Sequence, residues 1–127
     1  MSQMKCRCGH TMRDVQSPCP TAGELIGAQD DERLDRDLCE RVTNYIEAVQ
    51  AGREKAWLKE QGPLWVGSHE AVVSDLMTMV RLDLGRCVME CERCGRLHVQ
   101  ASNGSNEYHS FMPDKPGYKG VLRRTPP

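Results

Sequence analysis

The chain lacks long hydrophobic runs and has few aromatic residues. Its 127 residues include one Phe, two Trp and three Tyr, so aromatic side chains add little to a core. No stretch approaches the roughly 18 apolar residues of a membrane helix, and no apolar run follows the first basic residues. We therefore expect no membrane span and no signal peptide, but a cytoplasmic protein with one modest core.

The sequence also lacks a strong excess of charge. The formal net charge is −1, which argues against non-specific nucleic-acid binding, because such binding depends on a large basic excess. The distribution is uneven. Residues 1–20 hold three basic and one acidic side chain, residues 21–60 hold six and ten, and residues 101–127 hold four and two. An acidic middle therefore lies between mildly basic ends.

Cysteine, by contrast, is abundant, with seven residues. An odd number in a chain without an export signal favours reduced thiols and a bound metal over a disulfide framework. Two short turns share the order cysteine, cysteine, glycine: residues 6–9 (CRCG), the first knuckle, and residues 91–95 (CERCG), the second knuckle. Such a turn directs two thiolates at one point, and its glycine adopts a backbone conformation that a Cβ disfavours.

Together the knuckles supply the four sulfurs of a tetrahedral structural zinc site. Ligand type alone does not separate zinc from iron, and four unlinked thiols are the alternative. His10 is a substitute ligand if one cysteine cannot reach. The predicted metal ligands are Cys6, Cys8, Cys91 and Cys94.

The other three cysteines are expected to be plain thiols. Cys87 with the second knuckle spells the C-x-x-x-C-x-x-C spacing of radical enzymes that hold an iron–sulfur cluster, but only 33 residues follow Cys94, too few for the barrel those enzymes need. Cys87 instead suits a strand that leads into the knuckle. Cys19 and Cys39 have no partner at ligand spacing.

Two apolar stripes at three- and four-residue spacing predict two main helices. The first helix opens at Asp30, and Gly52 either ends it or passes it into a second piece, Arg53–Gln61. The second main helix spans His69–Leu84, with Ser68 as its N-cap. The stripes consist of Leu34, Leu38, Val42, Tyr45, Ile46 and Val49, and of Val72, Val73, Leu76, Met77, Val80 and Leu84.

Short alternating segments predict strands. Residues 24–28 and 86–90 are candidates, and residues 97–100 and 107–112 form a hairpin around the turn at residues 103–106. The sequence thus indicates an α+β fold, a zinc ribbon split by a helical insertion. We expect a single zinc-stapled domain over residues 1–113 and a flexible basic tail over residues 114–127.

No pattern of catalytic residues is recognisable. Four thiolates leave no open coordination position for water, and the His69-Glu70 pair is not followed by the second histidine of H-E-x-x-H, because residue 73 is Val73. We expect no catalytic residue and no enzyme. On the predicted hairpin, His98 and His109 either pair, bind a metal, or are ordinary half-exposed strand residues.

An acidic run at the start of the first helix has two interpretations. The first is compensation of the helix dipole and a solvated face, with arginines interleaved. The second is a docking surface for a basic partner, such as the active-site cleft of a nucleic-acid-handling protein. The residues of that surface are Asp31, Asp35, Asp37 and Glu40. The basic tail residues Lys115, Lys119, Arg123 and Arg124 invite a nucleic-acid interpretation as well.

Both ends of the chain carry a recognisable pattern. The start reads M-K-C-R-C-G-H, the later part C-E-R-C-G-R-L-H-V, and H-S-F-M-P-D closes the pattern. It resembles a group of small bacterial zinc-ribbon-like proteins, several of which lie beside toxin genes as candidate immunity proteins. The resemblance implies the four cysteine ligands, a non-catalytic role and a protein partner. A nucleic-acid-binding zinc-ribbon regulator is the alternative.

Overall fold

The computed structural model of the chain describes residues 3–62 and 67–123. It has an α+β architecture with three helices and two antiparallel sheets, which confirms the predicted class. The elements in order are β1 Gln3–Lys5, β2 Thr11–Arg13, β3 Ala22–Leu25, α1 Ala28–Gln50, α2 Glu54–Gln61, α3 His69–Leu84, β4 Arg86–Glu90, β5 Leu97–Gln100 and β6 Tyr108–Phe111.

The chain divides into two compact units. The cysteine unit combines Met1–Leu25 with Gly85–Pro127, and the helical unit is Ile26–Leu84. The helical unit is therefore inserted, in sequence, between the two halves of the cysteine unit. The single domain over residues 1–113 stays a prediction.

The cysteine unit contains all six strands. Strands β1 and β2 pair antiparallel on either side of the first knuckle, and the other four form an antiparallel sheet in the order β3-β4-β5-β6. Its core is a cluster of sulfur-containing side chains, Cys6, Met12, Met89 and Cys91. The shortage of aromatic residues is thus met, in this unit, by thiols and polarizable thioethers around the knuckles.

The first strand of the larger sheet lies earlier than predicted. Residues 24–28 were expected to be extended, but β3 is Ala22–Leu25 and α1 already begins at Ala28. The antiparallel pairing with β4 sets the bounds of β3, since Ala22 lies opposite Met89 and Leu25 opposite Arg86.

The ends of the helices are set by local signals. Ser68 caps α3 through its Oγ, which accepts a hydrogen bond from the Ala71 amide at 3.2 Å, as the N-cap prediction requires. At the end of α1, Gly52 has φ +68°. The amide of Arg53 donates to the Ala48 carbonyl, and that of Gly52 donates to the Val49 carbonyl. These two bonds form a Schellman motif, so α2 is a separate third helix.

The core of the helical unit gathers around three buried side chains, Tyr45, Val72 and Leu76, with Trp57 and Leu58 of α2 packed against them. The ring centroids of Tyr45 and Trp57 are 5.5 Å apart. The Tyr45 hydroxyl also lies within hydrogen-bond distance of Glu54 on α2 and of His69 on α3. One side chain therefore links all three helices.

Two residues of the predicted apolar stripes are exposed. Ile46 is 47% exposed and Met77 is 43% exposed, whereas Ala48, outside the predicted stripe, is fully buried. The predicted stripes were wider than the faces that the helices bury against one another. None of the described helices combines the length and apolar character needed to cross a membrane.

The segment after β6 is anchored to the sheet by a buried carboxylate. Glu90, at the end of β4, is 3% exposed. Its carboxylate accepts hydrogen bonds from the amide of Gly120 and, at 3.2 Å, from that of Leu122. The Leu122 side chain lies beside Gly23 of β3. The described part of the predicted flexible tail is thus held at two amides, and residues 124–127, with Arg124, lie outside the described residues.

Two adjacent residues of α3 differ in burial, and this difference can be tested. Leu76 is 1% exposed and Met77 is 43% exposed. We expect Leu76→Ala to lower the free energy of unfolding by about 2–5 kcal/mol, since it leaves a cavity in the core. Met77→Ala, as the matched control, should cost less than about 1 kcal/mol. Urea unfolding monitored by circular dichroism measures both, and equal losses would show that the buried face is assigned wrongly.

Candidate metal centre

The fold brings the four knuckle cysteines together. The Sγ atoms of Cys6, Cys8, Cys91 and Cys94 all lie within 4.8 Å of one another. Two of these separations join the two knuckles, with 3.7 Å from Cys6 to Cys94 and 3.6 Å from Cys8 to Cys91. A tetrahedral zinc with Zn–S bonds near 2.3 Å places its sulfurs about 3.8 Å apart. The cluster could therefore hold a metal ion.

The two knuckles have the same backbone design with one residue of difference. In the first, the Cys6 amide donates to the His10 carbonyl and the Gly9 amide donates to the Cys6 carbonyl. In the second, the Cys91 amide donates to the Arg96 carbonyl and the Gly95 amide to the Cys91 carbonyl. Each of these two hydrogen-bonded loops is one residue longer in the second knuckle than in the first. The shorter Cys-x-Cys spacing of the first knuckle is thus absorbed by a tighter turn.

Both knuckle glycines have the predicted left-handed backbone, with φ +88° at Gly9 and φ +74° at Gly95. Their surroundings differ. A Cβ on Gly9 would meet no atom within 4 Å, whereas a Cβ on Gly95 would lie 2.0 Å from the carbonyl oxygen of Tyr118. The segment that Glu90 anchors therefore passes directly over the second knuckle.

Burial and backbone amides have opposite effects on the pKa values of the knuckle thiols. Burial raises the pKa of Cys6, and it raises the pKa of Cys91 to about 12 although the amides of Cys94 and Arg93 donate to that sulfur. At the exposed Cys8, the amide of His10 lowers the pKa to about 6. A cation bound among the sulfurs would supply the charge that stabilises the buried thiolates. The donor set therefore fits a thiophilic divalent metal.

The histidines lie differently from the sequence expectations. His10 does not enter the cluster, since its Nε2 contacts the Glu92 carboxylate at 2.9 Å. His98 and His109 do not pair, because His98 lies opposite Ser110 and His109 opposite Val99, which places them on opposite faces of the sheet. His109 is exposed, but His98 is 4% exposed, and its Nε2 lies 3.4 Å from Cys6 Sγ.

Sequence analysis named His98 but missed its burial and its contact with Cys6. Burial, with help from the charges of Arg96 and Arg7, lowers its pKa. The only sequence signal was its place between Leu97 and Val99, four residues after the last knuckle cysteine. Alternation predicts that such a residue points to the opposite face from its neighbours, but it does not predict which face meets the first knuckle.

The remaining cysteines stay outside the cluster. Cys39 is exposed on α1, and Cys87 lies in β4 and packs against the sulfur-rich core. Cys19 Sγ is 3.4 Å from Thr21 Oγ1, at the wall of a cavity of about 250 Å³. That volume is below the usual range for ligand pockets, so we assign no substrate site to it. Its lining consists of Thr11, Met12, Arg13, Val15, Gln16, Cys19, Pro20, Thr21, Glu90 and Glu92.

The acidic residues proposed as a docking surface all lie on α1. Asp31, Asp35 and Glu40 are exposed, and the described residues form no ion pair with them. Asp37 is different, because it is less exposed and its carboxylate lies 3.4 Å from Arg33 and 3.8 Å from Arg36. Three of the four carboxylates are therefore open to a partner.

Comparison with known families gives one result. Residues 2–115 match the family described as Domain of unknown function (DUF8617), and since the match covers most of the chain, the protein belongs to that family. Comparison with curated proteins and with solved structures gives no match. The family description states no activity, so the geometry of the four sulfurs is the basis for assigning a role.

The two knuckle glycines form a matched pair for a stability test. Gly9→Ala should cost about 1–2 kcal/mol of unfolding free energy, because alanine resists a positive φ. Gly95→Ala should cost a further 1–3 kcal/mol, roughly, because its Cβ would clash with the Tyr118 carbonyl and the backbone must shift. Chemical denaturation of both variants measures the difference. If the two variants lose the same stability, Tyr118 does not lie against the second knuckle.

Proposed function

We propose that this protein is a non-catalytic zinc-binding module that acts through a protein partner. Its four cysteines hold one structural Zn²⁺. The observation that carries the proposal is the convergence of four sulfurs from two knuckles, with all separations within 4.8 Å. Four thiolates complete a tetrahedral shell, and a zinc without an open position does not activate water.

The arrangement supports a zinc ribbon split by an insertion. The first knuckle joins β1 to β2 and the second joins β4 to β5. The two meet across a sequence separation of 83 residues between Cys8 and Cys91. A metal that closes a loop of this length stabilises the fold, because it removes many conformations of the unfolded chain.

The metal proposal predicts one tightly bound zinc per chain. Cys94→Ser should lose the zinc and lower the melting temperature, since site formation and folding are coupled. Cys39→Ser, the matched control, should do neither, because Cys39 is an exposed thiol outside the cluster. Elemental analysis and thermal melting of the purified chains measure both effects. A folded, metal-free wild-type protein would refute the zinc centre.

The charge of the helical unit supports a basic protein partner. Ile26–Leu84 contains twelve acidic and seven basic residues, a net charge of −5. On α1, the open carboxylates of Asp31 and Asp35 lie about one turn apart, and that of Glu40 follows five residues after Asp35, roughly 140° around the helix axis. Carboxylates distributed in this way along the helix steer a basic partner toward it. Together with the resemblance to toxin-associated proteins, this supports an immunity protein that neutralises a cognate toxin.

Charge reversal tests that surface. The triple variant Asp31→Lys, Asp35→Lys and Glu40→Lys should lose the partner, while zinc content and melting temperature stay near those of the wild type. The control variant reverses three other exposed acids, Glu47, Glu60 and Asp75, and changes the net charge equally. It should keep the partner. The readout is the set of basic proteins that co-purify with each chain from native cells. These proteins are quantified by mass spectrometry at low and at high salt, because salt screens the attraction between exposed charges.

One observation favours the second candidate, a nucleic-acid-binding regulator. The cysteine unit contains ten basic and six acidic residues, a net charge of +4 that the total charge of the chain conceals. Under this alternative, both charge-reversed variants should bind a labelled oligonucleotide more tightly than the wild type in fluorescence anisotropy. Loss of the co-purifying partner only in the α1 variant contradicts it.

A further inference from the structure

A buried histidine contacts one of the proposed ligands without being one of the four. His98 lies in β5, between β4 and β6, where it is opposite Met89 and Ser110. It is 4% exposed, and its Nε2 is 3.4 Å from the Sγ of Cys6, which is 3% exposed. A buried polar side chain needs a partner, and the partner of this nitrogen is a sulfur of the cluster.

We propose that His98 is a positioning residue of the metal centre, which donates a hydrogen bond from Nε2–H to the Cys6 thiolate; the inference rests on the proposed zinc site. Partners of this kind orient ligands and stabilise their charge. The first knuckle supplies Cys6 and Cys8 to the cluster, and β1 and β2 form a sheet of their own. The hydrogen bond from β5 therefore ties the first knuckle to the larger sheet at the metal.

The hydrogen bond also makes the two ligands of the first knuckle unequal. Cys8 is exposed, and the His10 amide of its own knuckle donates to it. Cys6 is buried and receives the side chain of another strand. Without that donor, the Cys6 sulfur would carry its charge in a nearly water-free position with less compensation. We infer that loss of His98 weakens metal binding through Cys6.

Three variants test this role. His98→Leu removes the donor, His98→Gln retains a side-chain N–H, and His109→Leu is the control on the opposite face of the sheet. Zinc affinity is measured by competition with a chromophoric chelator, and the Co²⁺-substituted proteins report the sulfur-to-metal charge-transfer band. We expect His98→Leu to lose affinity about tenfold or more and to shift the band to lower energy, because an unbonded thiolate is more easily oxidised. His98→Gln should retain most of the zinc affinity and most of the band energy of the wild type, and His109→Leu should change neither quantity.

Other outcomes overturn the proposal. If His98→Leu and His98→Gln lose zinc equally and the band does not move, His98 only packs against the knuckle. An affinity within about twofold of wild type in His98→Leu also refutes it. If His98→Leu does not fold, the band of His98→Gln decides, because a retained donor leaves it unchanged.

X-ray absorption that shows three sulfurs and one nitrogen would make His98 a ligand instead. A wild-type chain that binds no zinc refutes the metal centre itself, a failure separate from these.

Discussion

The meeting of the two knuckles is the constraint on which the cysteine unit depends. Cys8 and Cys91 are 83 positions apart in sequence, and their sulfurs are 3.6 Å apart. The strands next to them are short, with three residues each in β1 and β2. So few backbone hydrogen bonds do not hold a two-stranded sheet in water. The first knuckle therefore depends on the cluster, on the contacts of Cys6 with His98 and of His10 with Glu92, and on Met12, which packs with Met89 and the cysteines.

Electrostatics explain why such a cluster needs compensation. Three of the four sulfurs are buried or half-buried, and burial raises the pKa of Cys6 and Cys91. Backbone amides within each knuckle and the ring of His98 offset part of that cost. A divalent metal held among the four sulfurs would offset the rest. The same logic applies to Glu90, a buried carboxylate that two amides of the C-terminal segment satisfy.

The division of charge has a consequence for partners. A net charge of −1 suggests an electrostatically neutral protein, but the helical unit carries −5 and the cysteine unit +4. Each unit therefore presents its own field to a partner within a Debye length. The two proposed functions correspond to these two fields, since the acidic unit suits a basic protein and the basic unit suits a nucleic acid.

The sequence by itself determined the elements that depend on local chemistry. The two Cys-Gly turns predicted the cluster, Ser68 and Gly85 predicted the bounds of α3, and the turn at residues 103–106 predicted the β5–β6 hairpin. Each of these features is fixed by spacing, capping or a left-handed glycine, which act over a few residues.

Only the tertiary structure decided what depends on contacts between distant segments. Periodicity placed Ile46 and Met77 on apolar stripes, but the width of the helix contacts left them exposed. Strand register turned His98 toward Cys6, 92 positions away, and His109 toward the other face. The Glu90 carboxylate accepts hydrogen bonds from amides some 30 residues later in the sequence. Spacing shows which residues share a face, and packing alone shows what that face meets.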